Sequence, residues 1–169
     1  GGGTPNVLSA QEIGQIITAI RAKCELDSIG MELLPALADR DYLQGLHEAG
    51  VNKLSIGVES LTDSVVHSTG RKNAKAQHIH QLVQDALALE MWVNLDLMVG
   101  LEHQDATAFL NDLRMAAEMR PAQITIYPFM IIRGLQATPS MPDDDQFDLI
   151  DQAAEILAAQ GFSRAGIWT

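Results

Sequence analysis

The feature that most restricts what this chain can fold into is a repeated change of hydrophobic period. Four short segments, 29–34, 53–59, 92–99 and 123–127, alternate apolar with polar or glycine residues, and the stretches between them place apolar residues three and four apart. A period of two belongs to strands and a period of 3.6 to helices. Strand and helix in alternation, with each connection long enough to hold a helix, call for a parallel sheet joined by right-handed crossovers. The 169 residues, 47% of them hydrophobic, supply a core of ordinary size for one domain.

The helices carry their own punctuation. Ser9 and Glu12 form a capping box ahead of Ile13, Ile16, Ile17 and Ile20, which predicts an amphipathic helix over residues 10–24. Pro35 stops the first strand, Asp39 caps a second helix carrying Leu43 and Leu46, and Gly50 ends that helix in the left-handed region. A short helix is expected over 61–67, and a longer one over 76–90 with Ile79, Leu82, Val83, Ala86 and Leu87 on one face. Another, over 105–119, runs through Phe109, Leu110 and Leu113, and Phe147, Ile150, Ala154 and Leu157 mark a last helix before Gly161. Asp143, Asp144 and Asp145 precede that helix, where negative charge favours the N-terminus, so capping rather than metal binding is expected of them.

Strand parity then separates two faces. Ile29, Met31 and Leu33; Leu54, Ile56 and Val58; Val93, Leu95, Leu97 and Val99; and Ile124 and Ile126 face the helices. The opposite face carries Gly30 and Glu32; Ser55, Gly57 and Glu59; Asn94, Asp96 and Met98; and Gln123, Thr125 and Tyr127. A closed eight-stranded barrel fills its interior with branched apolar side chains, whereas this face is polar and broken by glycine, which suits an open barrel wrapped round a polar ligand. A face turned simply to water would also be polar, although it would favour lysine, threonine and glutamate over glycine and asparagine.

Charge and cysteine content exclude several classes. Eleven Lys and Arg against 22 Asp and Glu leave a net charge of −11 without a basic cluster, so a nucleic-acid partner is not expected. No apolar run approaches the roughly 20 residues that span a bilayer, and the N-terminus lacks a basic-then-apolar leader; a soluble, cytoplasmic protein without a membrane partner is expected. Cys24, the single cysteine, excludes an internal disulfide and cannot by itself hold an iron–sulfur cluster; it reads as a small, half-buried helix residue. The five histidines show no metal-ligand spacing, and no metal site is assigned.

Several residues gather at the C-terminal strand ends, where barrel ligands bind. Gly1-Gly2-Gly3-Thr4-Pro5 offers free backbone groups beside a hydroxyl. Glu32, Glu59 and Asp96 are carboxylates that repel one another unless something cationic or hydroxyl-rich sits among them, as a ribose and an ammonium or sulfonium would. Arg71 lies in a loop at the same end and is suited to a ligand carboxylate, or else to a surface ion pair. Paired carboxylates also serve glycosidases and divalent metals, and their spacing leaves these alternatives open.

The carrying segments are Gly1-Gly2-Gly3-Thr4-Pro5 with Leu8-Ser9, Glu32-Leu33-Leu34-Pro35, the run from Leu46 to Ser60 that ends Ser55-Ile56-Gly57-Val58-Glu59-Ser60, Gly70-Arg71, and Asn94-Leu95-Asp96-Leu97-Met98-Val99-Gly100-Leu101. In this order and spacing they resemble the radical S-adenosylmethionine superfamily, in particular the oxygen-independent coproporphyrinogen III oxidases and their relatives, along nearly the whole chain. The resemblance implies a partial, open α/β barrel of the (βα)6 type. It implies that Gly2, Gly3 and Thr4 contact the methionine amino group of S-adenosylmethionine, Glu32 and Asp96 its ribose or amino group, and Arg71 its carboxylate. Glu59 and Met98 complete the expected cofactor contacts, and no catalytic residue is assigned.

Two departures stand out. Glu59 occupies a position where these oxidases typically have glutamine, and Gly100-Leu101-Glu102-His103-Gln104 lacks the proline that usually follows the leucine. The family's three-cysteine cluster motif is expected upstream of the glycine segment, so residues 1–169 read as one partial domain without first strand or cluster loop, and with more chain expected after it. The implied parent is an oxidoreductase in which a [4Fe–4S] cluster cleaves S-adenosylmethionine to a 5′-deoxyadenosyl radical that abstracts hydrogen from a tetrapyrrole-type substrate. Flavodoxin or ferredoxin would be its electron donor. The alternatives are a metal-dependent barrel hydrolase or lyase using Glu32, Glu59 and Asp96, and a non-catalytic tetrapyrrole-binding relative.

Overall fold

The computed structural model describes residues 4–68, 74–130 and 138–166. Among them strand and helix alternate: α1 (Ala10–Arg21), β1 (Gly30–Leu33), α2 (Arg40–Ala49), β2 (Lys53–Glu59), α3 (Asp63–Ser68), α4 (Ala76–Ala88), β3 (Trp92–Val99), α5 (Ala106–Glu118), β4 (Gln123–Pro128) and α6 (Asp143–Ala159). The four strands make one parallel sheet in the order β1-β2-β3-β4. Parallel strands in sequential order, each followed by a helix, are a segment of a TIM-like barrel left open at both edges, as the alternation predicts.

The parity holds in the packing. Leu54, Ile56 and Val58 of β2 and Val93, Leu95, Leu97 and Val99 of β3 are buried with Leu43 and Leu46 of α2, Ile79, Leu82 and Val83 of α4, and Phe109 and Leu113 of α5. Each such side chain contributes about 1.5–3 kcal/mol of burial. The Ser9–Glu12 capping box forms, Asp39 Oδ1 accepts from the Tyr42 N–H at 2.8 Å, and Gly50 sits at φ 98°.

Helix ends differ from the periodic expectation where the closing residue is not glycine. The fourth helix stops at Ala88 because Glu90 turns left-handed at φ 56° and the Met91 N–H returns to Ala86 O; beyond α5, Arg120 also turns left-handed, at φ 57°, ahead of Pro121. The short helix begins two residues later than expected, at Asp63, since Ser60 and Thr62 are held by side-chain bonds instead. The first helix ends at Arg21, and Cys24 lies exposed in the turn beyond it, so the expectation of a half-buried helical cysteine is incorrect. Residues 143–145 occupy the first turn of α6 without a side-chain cap bond, their charge meeting the helix N-terminus directly.

The last helix forms before Gly161 as expected, as α6. Its buried residues are Gln146, Leu149, Ala153 and Leu157, while Phe147 is 50% exposed. The Gln146 side chain is fully enclosed: its Oε1 accepts from the Phe129 N–H at 2.7 Å, and its Nε2 donates to Met141 O at 3.2 Å. Phe147 and Ile150 turn instead toward a cleft of about 1010 Å³ that runs along the outer edge of β4.

Gly100 packs against that glutamine. A Cβ on Gly100 would lie 2.5 Å from Gln146 Cδ, and the residue already sits at φ 88°. Since Gln146 is tied at both ends, Gly100→Ala is expected to cost about 2 kcal/mol, combining left-handed strain with overpacking. Urea unfolding of the two proteins checks it; equal midpoints would contradict the packing.

Candidate functional site

Away from the helices, the sheet register stacks polar side chains in rows. Glu32, Ser55, Asn94 and Gln123 stand side by side on the four strands, and Gly57, Asp96 and Thr125 form the next row toward the C-terminal end. The rows are stitched together. Gln123 Nε2 donates to Thr125 Oγ1 (3.0 Å), Thr125 Oγ1 donates to Asn94 Oδ1 (2.9 Å), and Asn94 Nδ2 reaches both Ser55 Oγ (2.7 Å) and Asp96 Oδ1 (2.8 Å). The Ser55 hydroxyl donates to Asp96 Oδ2 at 2.6 Å. Asp96 is thus held by one neutral donor on each oxygen, which fixes its orientation and leaves each oxygen a further lone pair for a ligand.

Gly57 opens the floor beside it. A Cβ there would meet nothing nearer than Leu33 O at 3.9 Å, so the space over β2 between Glu32 and Asp96 is clear. Tyr127 borders the same space: partial burial pushes its phenol above the usual range, and the charges of Asp96 and Glu32 push it the same way. Sequence parity placed Tyr127 on this face but assigned it no part.

Glu59 ends β2 in an unusual conformation. The register shifts between Gly57 and Glu59, so β2 carries an extra residue against β3, and Glu59 sits at φ 62° with the Ser60 N–H donating to Val58 O at 2.8 Å. That is a bulge followed by a positive-φ γ-turn, a strained arrangement for any residue with a side chain.

Thr4 is brought to the same end of the sheet by its neighbour Asn6. The buried Asn6 side chain donates through Nδ2 to Leu34 O (2.9 Å) and accepts at Oδ1 from the Leu34 N–H (3.0 Å), which docks residues 4–8 beside the exit of β1. Met98 stands beside Tyr127 in the pairing of β3 with β4. Gly2, Gly3 and Arg71 lie outside the described residues. The structure therefore places Glu32, Asp96 and Met98 on one face of the sheet, brings Thr4 and Glu59 to its C-terminal end, and adds Tyr127.

Beneath the loops lies a group that periodicity passes over. Asp112 of α5 is 1% exposed, and its carboxylate accepts from Ser60 Oγ (2.5 Å) and Thr62 Oγ1 (2.8 Å), with the Leu61 N–H and the Gln104 amide also favouring its charged form. Burial pushes its carboxyl above the ordinary range, and the four hydrogen bonds oppose that without cancelling it. The buried Gln104 in turn accepts at Oε1 from the N–H groups of Gly100 (2.9 Å) and Leu101 (3.2 Å) and donates to Met98 O (3.1 Å). The exits of β2 and β3 hang from one buried carboxylate. A polar residue three positions from each of Phe109 and Met115 on an apolar helix is the only trace of this in the sequence.

The residues suit a nucleoside-type ligand better than a metal. Ribose hydroxyls and a cationic amine or sulfonium complement Glu32 and Asp96 over the open floor at Gly57. Among the described residues no three of His, Cys, Asp and Glu gather closely enough to share an ion, so Glu32, Glu59 and Asp96 do not form a metal triad. Cys24 follows α1 and precedes β1, which places it at the opposite end of the sheet, and the ligands of an iron–sulfur cluster are not supplied by these residues. His78 Nε2 lies 3.1 and 3.0 Å from Pro35 O and Ala38 O, which is a structural bridge. Among the described residues no helix is long and apolar enough to cross a membrane.

No protein-family model matches the chain. Among curated proteins it is similar to the heme chaperone HemW of Escherichia coli, with 33% identity over 97% of this chain and 45% of HemW. It is also similar to the anaerobic coproporphyrinogen III oxidase 1 of Cereibacter sphaeroides, with 30% identity over 99% of this chain and 39% of that protein. The chain thus spans less than half the length of these relatives. Among solved structures, the radical SAM enzyme coproporphyrinogen III oxidase (HemN) of Escherichia coli superposes with a TM-score of 0.89 at 23% identity, over 99% of this chain and 41% of the other.

Proposed function

The chain belongs to the radical S-adenosylmethionine family of HemW and the oxygen-independent coproporphyrinogen III oxidases, and from that premise we propose that its polar sheet face binds S-adenosylmethionine for a tetrapyrrole-handling protein. The observation that carries this reading is the pinned Asp96 carboxylate beside the clear floor at Gly57, bordered by Glu32 and Tyr127. Homologues of this family use S-adenosylmethionine together with a [4Fe–4S] cluster, and the chemistry supplied when both are bound is reductive cleavage to a 5′-deoxyadenosyl radical.

The chain's own residues bind and orient. We assign Thr4, with Gly2 and Gly3, to the methionine amino group, Arg71 to the methionine carboxylate, and Glu32 and Asp96 to the ribose or amino group; Glu59 and Met98 complete the contacts. The Ser55–Asn94–Thr125 ladder keeps Asp96 from turning away as ligand arrives, which lowers the ordering cost of binding.

Anaerobic reconstitution of the complete protein, followed by dithionite reduction with S-adenosylmethionine, is expected to yield 5′-deoxyadenosine. A complete protein that binds no S-adenosylmethionine would end this reading. A second reading, a heme-binding chaperone, is favoured by the 33% identity to HemW. Incubation with coproporphyrinogen III separates them: decarboxylated product supports the oxidase, and stable heme binding without that product supports the chaperone.

A further inference from the structure

We propose that Asp112 is a positioning residue for the ligand: without touching it, this one carboxylate holds the two strand exits that do. The proposal rests on the S-adenosylmethionine reading above. Three observations meet at Asp112.

The first is strain. Glu59 is a non-glycine residue at φ 62° in a γ-turn that follows a bulge, a conformation that persists only where its surroundings over-determine it. What over-determines it is the next three residues: the Ser60 hydroxyl, the Leu61 N–H and the Thr62 hydroxyl all point into the Asp112 carboxylate, and the Thr62 N–H also donates to Ser60 Oγ at 3.1 Å. Released from that anchor, the residues that follow Glu59 lose the side-chain bonds that hold the turn in place.

The second is the reach to β3. The Gln104 amide favours the charged form of Asp112 and donates to Met98 O, while its Oε1 collects the N–H groups of Gly100 and Leu101. The backbone just beyond Met98 is therefore set by the same carboxylate. Ser140 adds to the clamp, its Oγ donating to Gln104 O at 2.6 Å and its N–H to Gly100 O at 3.0 Å.

The third is the price in solvation. A carboxylate 1% exposed and met, among the described residues, by neutral donors and by no cation is a costly way to join a helix to a loop. An apolar residue would serve packing alone. Only an acceptor with several lone pairs can gather hydroxyl, amide and backbone donors from two loops at one point.

The test uses the complete protein, with S-adenosylmethionine binding read by equilibrium dialysis and folding by thermal unfolding. Asp112→Asn keeps the shape but gives up acceptor capacity. It is expected to weaken binding about tenfold or more while the unfolding midpoint stays near that of the wild type, because misplacement of contact groups acts on affinity. Ser60→Ala is expected to reproduce much of the loss and to add little in the Asp112→Asn background, as coupled residues do. Phe109→Leu, one turn away in the apolar face of α5, should lower the midpoint and leave affinity unchanged. Wild-type affinity in Asp112→Asn, or an equal loss in Phe109→Leu, overturns the proposal. If Asp112→Asn does not fold, Ser60→Ala and Thr62→Val decide it by the same criterion. A wild-type protein that binds no S-adenosylmethionine overturns the functional reading itself, whereas binding that survives every one of these substitutions overturns only the role of Asp112.

Discussion

Asp96→Ala in the complete protein is expected to weaken S-adenosylmethionine binding about a hundredfold, equivalent to about 2.7 kcal/mol. The size follows from the way the carboxylate is held. Ser55 and Asn94 each occupy one oxygen at 2.6 and 2.8 Å, so the group meets its ligand already oriented and with both oxygens still able to accept. Removing it deletes the acceptor and also leaves the Ser55 hydroxyl and the Asn94 amide without their partner on a half-buried face, which adds to the loss. Asp96→Asn should fall between the two proteins, because the amide oxygen still accepts while the charge is gone. Isothermal titration of the reconstituted protein measures all three; an Asp96→Ala protein that binds as tightly as the wild type would remove Asp96 from the site.

Leu95→Ala is expected to cost about 3–4 kcal/mol of folding stability, near the upper part of the range for deleting a buried leucine. Leu95 is 0% exposed on an interior strand, with Ile56 beside it on β2 and Ile124 on β4. Strands on both sides fix the backbone at backbone-bond spacing, so the sheet cannot collapse into the space that the side chain vacates. Set against a typical domain stability of about 5–15 kcal/mol, the change is large. Urea unfolding should show a lower midpoint with an unchanged slope, and a midpoint shift equivalent to less than about 1 kcal/mol would mean that the core repacks there. Affinity for S-adenosylmethionine in the folded variant should hold, since Leu95 points to the helix side of the sheet.

These two substitutions lie on adjacent residues and are expected to fail in different assays, which is the sharpest consequence of strand parity in this molecule. That parity was legible from the residues alone. The bounds of β2 and β3 fall where the alternation places them, at Lys53–Glu59 and Trp92–Val99, because every second residue in those runs is aliphatic and the flanking residues are not. The caps at Ser9 and Asp39 are equally plain, since each bonds a backbone N–H three residues away.

Where expectation and structure part, the cause is a partner distant in the chain. Hydrophobicity marks α6 by Phe147 but does not show that Gln146 is the buried neighbour, its amide bridging the Phe129 N–H and Met141 O. Glu90 and Arg120 end their helices in the left-handed region without glycine, which composition cannot announce. Tyr127 was on the expected face, but only the packed sheet brings its phenol under the influence of Asp96 and Glu32.

The residues by themselves determined the alternation of strand and helix, the division of the sheet into an apolar and a polar face, and the carboxylates at the strand ends, because periods of two and 3.6 are properties of local backbone geometry. Only the tertiary structure decided that Glu59 would sit in a strained turn and that Asp112 would hold it. The hydrogen bond between Ser60 and Asp112 joins positions 52 residues apart, and such a pairing has no local period to betray it.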